Sequence, residues 1–295
     1  MEALILILAV SVRIIAAPAA NALQKQLTHQ DQHPLVVNLV TFLLLSAGCL
    51  LFMRTDTLAG LPILVWQYSI LGGLAGALGN GFLVMALKRG ELSVLGPINA
   101  WKSVVGIAGG ILLLQEIPTL WSIAGIVLII AGSYRVLDTT PERFTWQLFK
   151  RSDIQFRLAA MVLTAIEAVL IKQVIAASTP LIAFAGWSWF GGIFTLLLLI
   201  GLKPSALRLS VPFRPEFAKR YLLLAASMGL MQIATNYTFK HMDVGPALAL
   251  FQLSTLVSVI LGYKLFNEKS LPQKLIGAAL MVAGSAIIIL FGSPS

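Results

Sequence analysis

The sequence predicts an all-α membrane protein, with ten transmembrane helices arranged as two inverted-topology five-helix repeats around a central cavity. Three observations carry this expectation. Of 295 residues, 58% are hydrophobic and 11% charged, whereas soluble domains carry about 25% charged residues. The apolar residues form continuous runs of the length a bilayer crossing needs, about 20 residues each. The two halves of the chain also match each other at a fixed offset. A soluble two-domain enzyme is excluded by this composition, and so is an outer-membrane barrel, whose strands alternate apolar and polar residues.

Read by apolar run and breaker, the spans are 3–25, 35–53, 62–87, 93–114, 118–137, 157–177, 180–202, 221–240, 245–265 and 272–292. Pro34, Pro62, Pro118, Pro180 and Pro272 each fall in the opening turn of a span, where a missing backbone donor costs nothing. The longest connection, Asp138 to Asp153, interleaves Phe144, Trp146, Leu148 and Phe149 with Arg143, Lys150 and Arg151. That pattern reads as an amphipathic linker on the membrane surface.

The net charge of +9 does not indicate nucleic-acid binding, because the basic residues lie between apolar runs and not on a folded polar domain. They fix topology instead. Sixteen Lys and Arg fall in odd-numbered loops, while only Arg54 and Lys240 fall in even ones. Basic loops stay cytoplasmic, so both termini are expected outside, in an inner membrane of bacterial type. Cys49 is the only cysteine, which leaves no intrachain disulfide. Glu2 and Arg13 argue against a cleaved signal peptide.

At an offset of 152 residues, Asn80–Ser133 aligns without a gap onto Gln232–Ser285, and ten positions are identical. Among them are the pairs Glu116/Glu268, Gly110/Gly262, Gly125/Gly277 and Gly132/Gly284. Apolar bias produces matched Val and Leu readily, but not matched Glu and Gly at fixed spacing. Five spans per copy is an odd number, so the second copy must run in the opposite sense across the bilayer. Inverted repeats characterise secondary transporters, which bind substrate near the midplane between the repeats.

Two segments make the resemblance to a known family specific. Glu116-Ile-Pro-Thr-Leu-Trp-Ser-Ile-Ala-Gly125 is followed by Gly132, and Glu268-Lys-Ser-Leu-Pro-Gln-Lys-Leu-Ile-Gly277 by Gly284. The chain thereby resembles the drug/metabolite transporter superfamily in its ten-helix form with two EamA-type halves. The resemblance implies one five-helix repeat at 1–137, a cytoplasmic linker at 138–156 and a second repeat at 157–295. It implies transport of a small molecule without catalysis or a cofactor. Members of this kind are usually drawn with cytoplasmic termini, opposite to what the loop charges indicate here.

An ionisable side chain at bilayer depth is costly and marks a functional candidate. Arg13, Lys102 and Glu167 fall near the middle of the first, fourth and sixth spans. Two cations and one carboxylate favour an anionic or zwitterionic solute, and Lys102, with no acid in its own span, is the leading candidate. Glu167 is the candidate proton-coupling site, with pairing to Arg13 or Lys172 as the structural alternative. Asn80, Asn99, Trp101, Gln232, Tyr237 and Gln252 are candidate substrate contacts, each equally able to tie helices together. Asn21, Gln173, Asn236 and Ser254 share that depth, and Trp187 is placed equally well to cap a cavity or to face lipid. Asn99 and Lys102 share one helix face and Gln252 and Thr255 another, so the fourth and ninth helices are expected to form opposite walls of one site.

Glu116 and Glu268 lie at span ends, where a carboxylate can accept bonds from the free backbone donors opening the next helix. Gly72, Gly76 and Gly79, with Gly106 and Gly110, permit close helix approach. His29, Asp31 and His33 form a short polar loop, and no metal site is expected of it. The expected function is therefore a secondary transporter of an amino acid or organic acid, with the lipid bilayer, the solute and protons as its partners and no nucleic acid. Efflux of lipophilic cations, an intramembrane lipid-modifying enzyme and a passive channel are the alternatives.

Overall fold

The computed structural model of the chain describes residues 2–52, 58, 60–102, 119–140, 145–203, 205, 215–242 and 244–291. Among these, every regular element is helical: α1 (Glu2–His29), α2 (Pro34–Phe52), α3 (Ile63–Arg89), α4 (Leu92–Leu95), a 3-10 turn (Pro97–Ala100), α5 (Leu120–Leu137), α6 (Trp146–Phe149), α7 (Ser152–Ala177), α8 (Pro180–Leu202), α9 (Pro215–His241), α10 (Val244–Phe251), α11 (Ser254–Phe266) and α12 (Leu271–Phe291). Six are long and apolar enough to cross a membrane: α1, α3, α5, α7, α8 and α12. Two more, α2 and α11, are apolar but shorter.

Helix starts follow local chemistry. Thr119 precedes α5 and accepts a bond from Ser122 N at 3.2 Å. Thr179 does the same for Ile182 N ahead of α8, where Pro180 occupies the first helical position. Both are side-chain caps on otherwise orphaned donors. Pro34 and Pro272 also fall in opening turns and Pro62 caps α3, while Pro118 lies outside the described residues.

Two expected spans are interrupted. In the first, α4 ends at Leu95 and a 3-10 turn follows, because Pro97 has no N–H to continue the ladder; residues 103–118 of this span lie outside the described residues. In the second, the chain tightens at Gln252 and Leu253 between α10 and α11, with Leu253 N bonding Leu250 O at 3.1 Å. The interruptions meet: Gln252 Nε2 donates to Asn99 O at 3.3 Å, and a Cβ at Gly96 would stand 2.7 Å from Ser258 Cβ.

The strongest packing joins α3 to α7, α5 to α12 and α1 to α9, with α8 against both α2 and α3. Gly72 and Gly79 lie against α7 at Leu170 and Thr164, as expected for a close-approach stripe, while Gly76 lies against the α8 residue Trp187. Gly106 and Gly110 lie outside the described residues. The four repeat-matched glycines explain the contact of α5 with α12. Gly125 faces Gly284 O and Gly132 faces Gly277 O, so the two helices run antiparallel and touch backbone to backbone.

One boundary differs with consequence. The sixth expected span begins at 157, but α7 begins at Ser152. Its first turn is held by the ion pair from Arg151 to the buried Asp153 at 2.8 Å. Arg157 is therefore a buried helical residue and not a loop cation. Lys25 and Lys274, also expected in loops, are likewise buried, since Glu268 and Glu91, in turns distant in sequence, receive them.

Candidate functional site

A cavity of ≈ 140 Å³ lies among α1, α3, the interrupted segments, α7, α8 and α9. Each helix contributes through one narrow face. Arg13 and Asn21 come from α1, Asn80 from α3, Asn99 and Lys102 from the segment after α4, Arg157 and Glu167 from α7, Trp187 from α8, and Gln232 and Thr235 from α9. Of the residues expected at the site, Arg13, Lys102, Glu167, Asn80, Asn99 and Gln232 are thus brought together.

The charged groups are held without saturating them. Arg13 Nε donates to Thr235 Oγ1 at 2.9 Å, and the guanidinium lies over the Phe251 ring at 4.8 Å. Its Nη1 is buried with no hydrogen-bond partner among the described residues, and an orphaned buried donor is costly. Lys102 has Arg157, Glu167 and Arg13 as electrostatic neighbours, and it makes no hydrogen bond or ion pair among the described residues. Arg157 Nε donates to Leu95 O at 2.7 Å, and the residue also lines the cavity.

Glu167 is buried, with Lys102 and Arg13 as its charged neighbours and no direct salt bridge to either among the described residues. Lys172 is engaged elsewhere, donating to Phe239 O and to Met242 O. Trp187 neighbours the Glu167 carboxylate, and its indole N–H is buried without a hydrogen bond among the described residues. Gly76 makes room for both: a Cβ there would stand 2.6 Å from Trp187 Nε1 and 3.5 Å from Glu167 Cδ.

Other expected residues are tied into the scaffold. Asn80 Nδ2 donates to Asn38 Oδ1 at 2.6 Å, and its own Oδ1 accepts from Gln24 Nε2. Gln232 bonds Asn236 one turn along α9. Trp101, Tyr237 and Gln252 do not line the cavity. Trp101 Nε1 donates to Ser133 Oγ at 2.8 Å, Tyr237 packs on His241 with centroids 4.5 Å apart, and Gln252 joins the two interrupted segments.

Sequence reasoning placed Glu268 at the start of its own next helix. It instead caps α4, in the other half of the chain. Its oxygens accept from Leu92 N at 2.7 Å, from Ser93 N at 2.8 Å, and from the Ser93 hydroxyl. Lys25 Nζ reaches it at 2.7 Å and also donates to Gly90 O. Burial alone would raise the Glu268 carboxyl, but the Lys25 ammonium and the bonds from Lys25 and Ser93 outweigh it and hold the group below its ordinary range. Beside this cluster Lys274 pairs with Glu91 and donates to Ser93 Oγ. Glu116, the repeat partner of Glu268, lies outside the described residues.

The fold resembles a solved protein crystal structure with 19% sequence identity and a TM-score of 0.63, over 96% of this chain and 97% of that one. At that identity the likeness shows the fold alone. No curated protein matches. The EamA-like transporter family, of the drug/metabolite transporter type, matches twice, over residues 3–137 and 152–290. Its members are transporters and not enzymes, and with nearly the whole length matched in two copies, this chain belongs to the EamA-like transporter family.

Proposed function

We propose that the protein is a secondary transporter that exports or exchanges a small anionic or zwitterionic metabolite, such as an amino acid or organic acid, by alternating access. The observation that carries this reading is the charge of the cavity. Among the described residues, Arg13, Lys102 and Arg157 line it against the single carboxylate of Glu167, and Arg13 Nη1 has no hydrogen-bond partner. Uncompensated buried cations are costly, and a substrate carboxylate or phosphate would relieve them. Arg13, Lys102, Arg157, Asn99 and Gln232 are the substrate contacts in this reading. Asn80, Trp101, Tyr237 and Gln252 shape the cavity through their neighbours. Glu167 is the proton-coupling group.

Inverted repeats are supported by the antiparallel glycine contact of α5 with α12, the last helices of the two halves. They are also supported by the exchange of packing partners, α3 with α7 and α1 with α9, as a two-fold axis in the membrane plane would give. Ten spans in an inner membrane, with the 138–156 linker on the cytoplasmic surface and both termini outside, complete the proposal on the loop charges. Efflux of lipophilic cations is disfavoured, because such a substrate would enter a cavity where, among the described residues, cations outnumber carboxylates three to one.

The test is a thermal-shift screen of amino acids, organic acids, sugar phosphates and cationic dyes on purified protein, repeated with Lys102→Ala. Anionic or zwitterionic solutes should stabilise the native protein and lose most of that effect in the variant. Stabilisation by dyes alone would reverse the assignment.

A further inference from the structure

At one end of the bundle, away from the central cavity, a second hollow of ≈ 250 Å³ opens where α3 and α8 terminate beside the start of α2. Its rim is cationic. Lys88 and Arg89 end α3, Lys203 follows α8, and His33 stands in the turn before α2. Arg89 is fixed, donating to Ser152 Oγ at 2.7 Å with its guanidinium 5.7 Å from the Phe156 ring. The ammonium groups of Lys88 and Lys203 make no hydrogen bond or ion pair among the described residues.

Lys88 and Lys203 crowd the same imidazole. Partial burial, then Lys88 and Lys203, hold His33 below its ordinary range. Basic residues in a last helical turn ordinarily complement the helix dipole, which accounts for Lys88 and Arg89 separately. It does not account for a third cation brought from α8 to the same hollow with no acid among its lining residues. The walls below the rim are apolar: Phe156 on one side, and on the other Leu202, which is 65% exposed. Cations at the ends of two apolar spans sit at headgroup depth, and exposed apolar side chains below them sit at acyl depth. Basic pockets between helices on the cytoplasmic side recognise anionic lipid headgroups, and the loop charges assign this end to the cytoplasm.

We propose that this groove binds one anionic phospholipid, its phosphate between Lys88, Arg89 and Lys203 and an acyl chain along Phe156 and Leu202. The groove joins residues of both halves, α2 and α3 with α7 and α8, so the lipid bridges them.

Native mass spectrometry of the protein in neutral detergent tests this, with dioleoyl phosphatidylglycerol, dioleoyl phosphatidylcholine and inorganic phosphate as probes. Phosphatidylglycerol should be retained in preference to phosphatidylcholine. Lys88→Gln with Lys203→Gln should weaken its retention by about thirtyfold, the two basic residues contributing roughly 1 kcal/mol each near an anionic surface. Lys240→Gln with Lys264→Gln, at exposed sites outside the groove, should leave retention unchanged. Lys203→Gln alone, removing one exposed side chain, gives the same reading at smaller amplitude should the double variant fold poorly. Equal loss in the control pair, no loss in the groove pair, or displacement of phosphatidylglycerol by inorganic phosphate at equal concentration would each overturn the proposal.

Discussion

Lys25 Nζ stands 2.7 Å from Glu268 Oε1, and both side chains are 5% exposed. Lys25 lies four residues before the end of α1 in the first half of the chain, and Glu268 lies between α11 and α12 in the second. The same carboxylate caps α4, so one residue joins three segments that are distant in sequence. Breaking a buried pair by removing one partner strands the other charge and costs about 3–5 kcal/mol.

Glu268→Gln should therefore lower the unfolding temperature far more than Lys25→Met/Glu268→Gln, which removes both charges. Thermal unfolding in detergent reads this; equal losses from the single and double variants would mean that the ion pair is not what stabilises the junction. The pH dependence follows from the direction of the shift. Because the folded carboxyl lies below its ordinary value of 4.5, its contribution is fully present above that value and lost as the pH falls below it. Wild type should lose stability on acidification through this range, and the double variant should lose less.

The contact of α5 with α12 makes a second prediction. A Cβ at Gly132 would stand 2.5 Å from Gly277 O and 2.9 Å from Met281 N, both backbone atoms. The helices would have to separate, so Gly132→Ala should destabilise by about 1–3 kcal/mol. Gly201→Ala in α8, where nothing lies within 4 Å, should be neutral or mildly stabilising, by up to about 1 kcal/mol. Matching unfolding curves for the two variants would count against a backbone-to-backbone contact.

These glycines were legible as a pair of spaced matches because close approach leaves a compositional trace. Apolar runs and opening prolines placed most helix starts for the same reason. What sequence could not supply was partner identity. Glu268 was recognisable as a cap, but nothing local says that the donors it meets belong to Leu92 and Ser93 in the other half. Arg157 reads as a loop cation in the sequence because an apolar run begins after it. Only the Arg151–Asp153 pair, which starts α7 early, carries it inside. The break at Pro97 interrupts a span read as continuous over 93–114, although a proline marks it, whereas the one at Gln252 comes with no breaker residue and coincides with the bond to Asn99 O. Trp101 and Tyr237 share the depth of the cavity residues, but face Ser133 and His241, a rotation that depth alone does not encode.

Arg157 supplies the third prediction. Its Nε is spent on Leu95 O, so its remaining donors and its charge are what an anionic solute would meet. Arg157→Lys keeps the charge and loses the fork geometry, while Arg157→Gln loses the charge. Binding of an anionic solute should weaken by about tenfold in Arg157→Gln, the scale of one charge-assisted hydrogen bond, and by less in Arg157→Lys. Isothermal titration with the best solute from the thermal-shift screen reads the difference. Equal affinity in all three proteins would remove Arg157 from the site.

Glu167 yields the last. Among the described residues it is the only carboxylate lining the cavity and has no direct salt bridge to its charged neighbours Lys102 and Arg13, and it lies against a helix that Gly76 brings close. A proton taken up here would change the balance of charge seen by the substrate, which is the minimum a coupling group must do. Gln has nearly the same shape but cannot ionise. Proteoliposomes containing Glu167→Gln should therefore lose accumulation driven by an imposed pH gradient while retaining solute exchange at equal pH on both sides, since exchange needs binding and rocking but no net proton movement. Loss of both activities would make Glu167 a binding or packing residue. Retention of gradient-driven accumulation would place coupling elsewhere. The selective loss, and only that, follows from a protonatable carboxylate inside a cavity of cations.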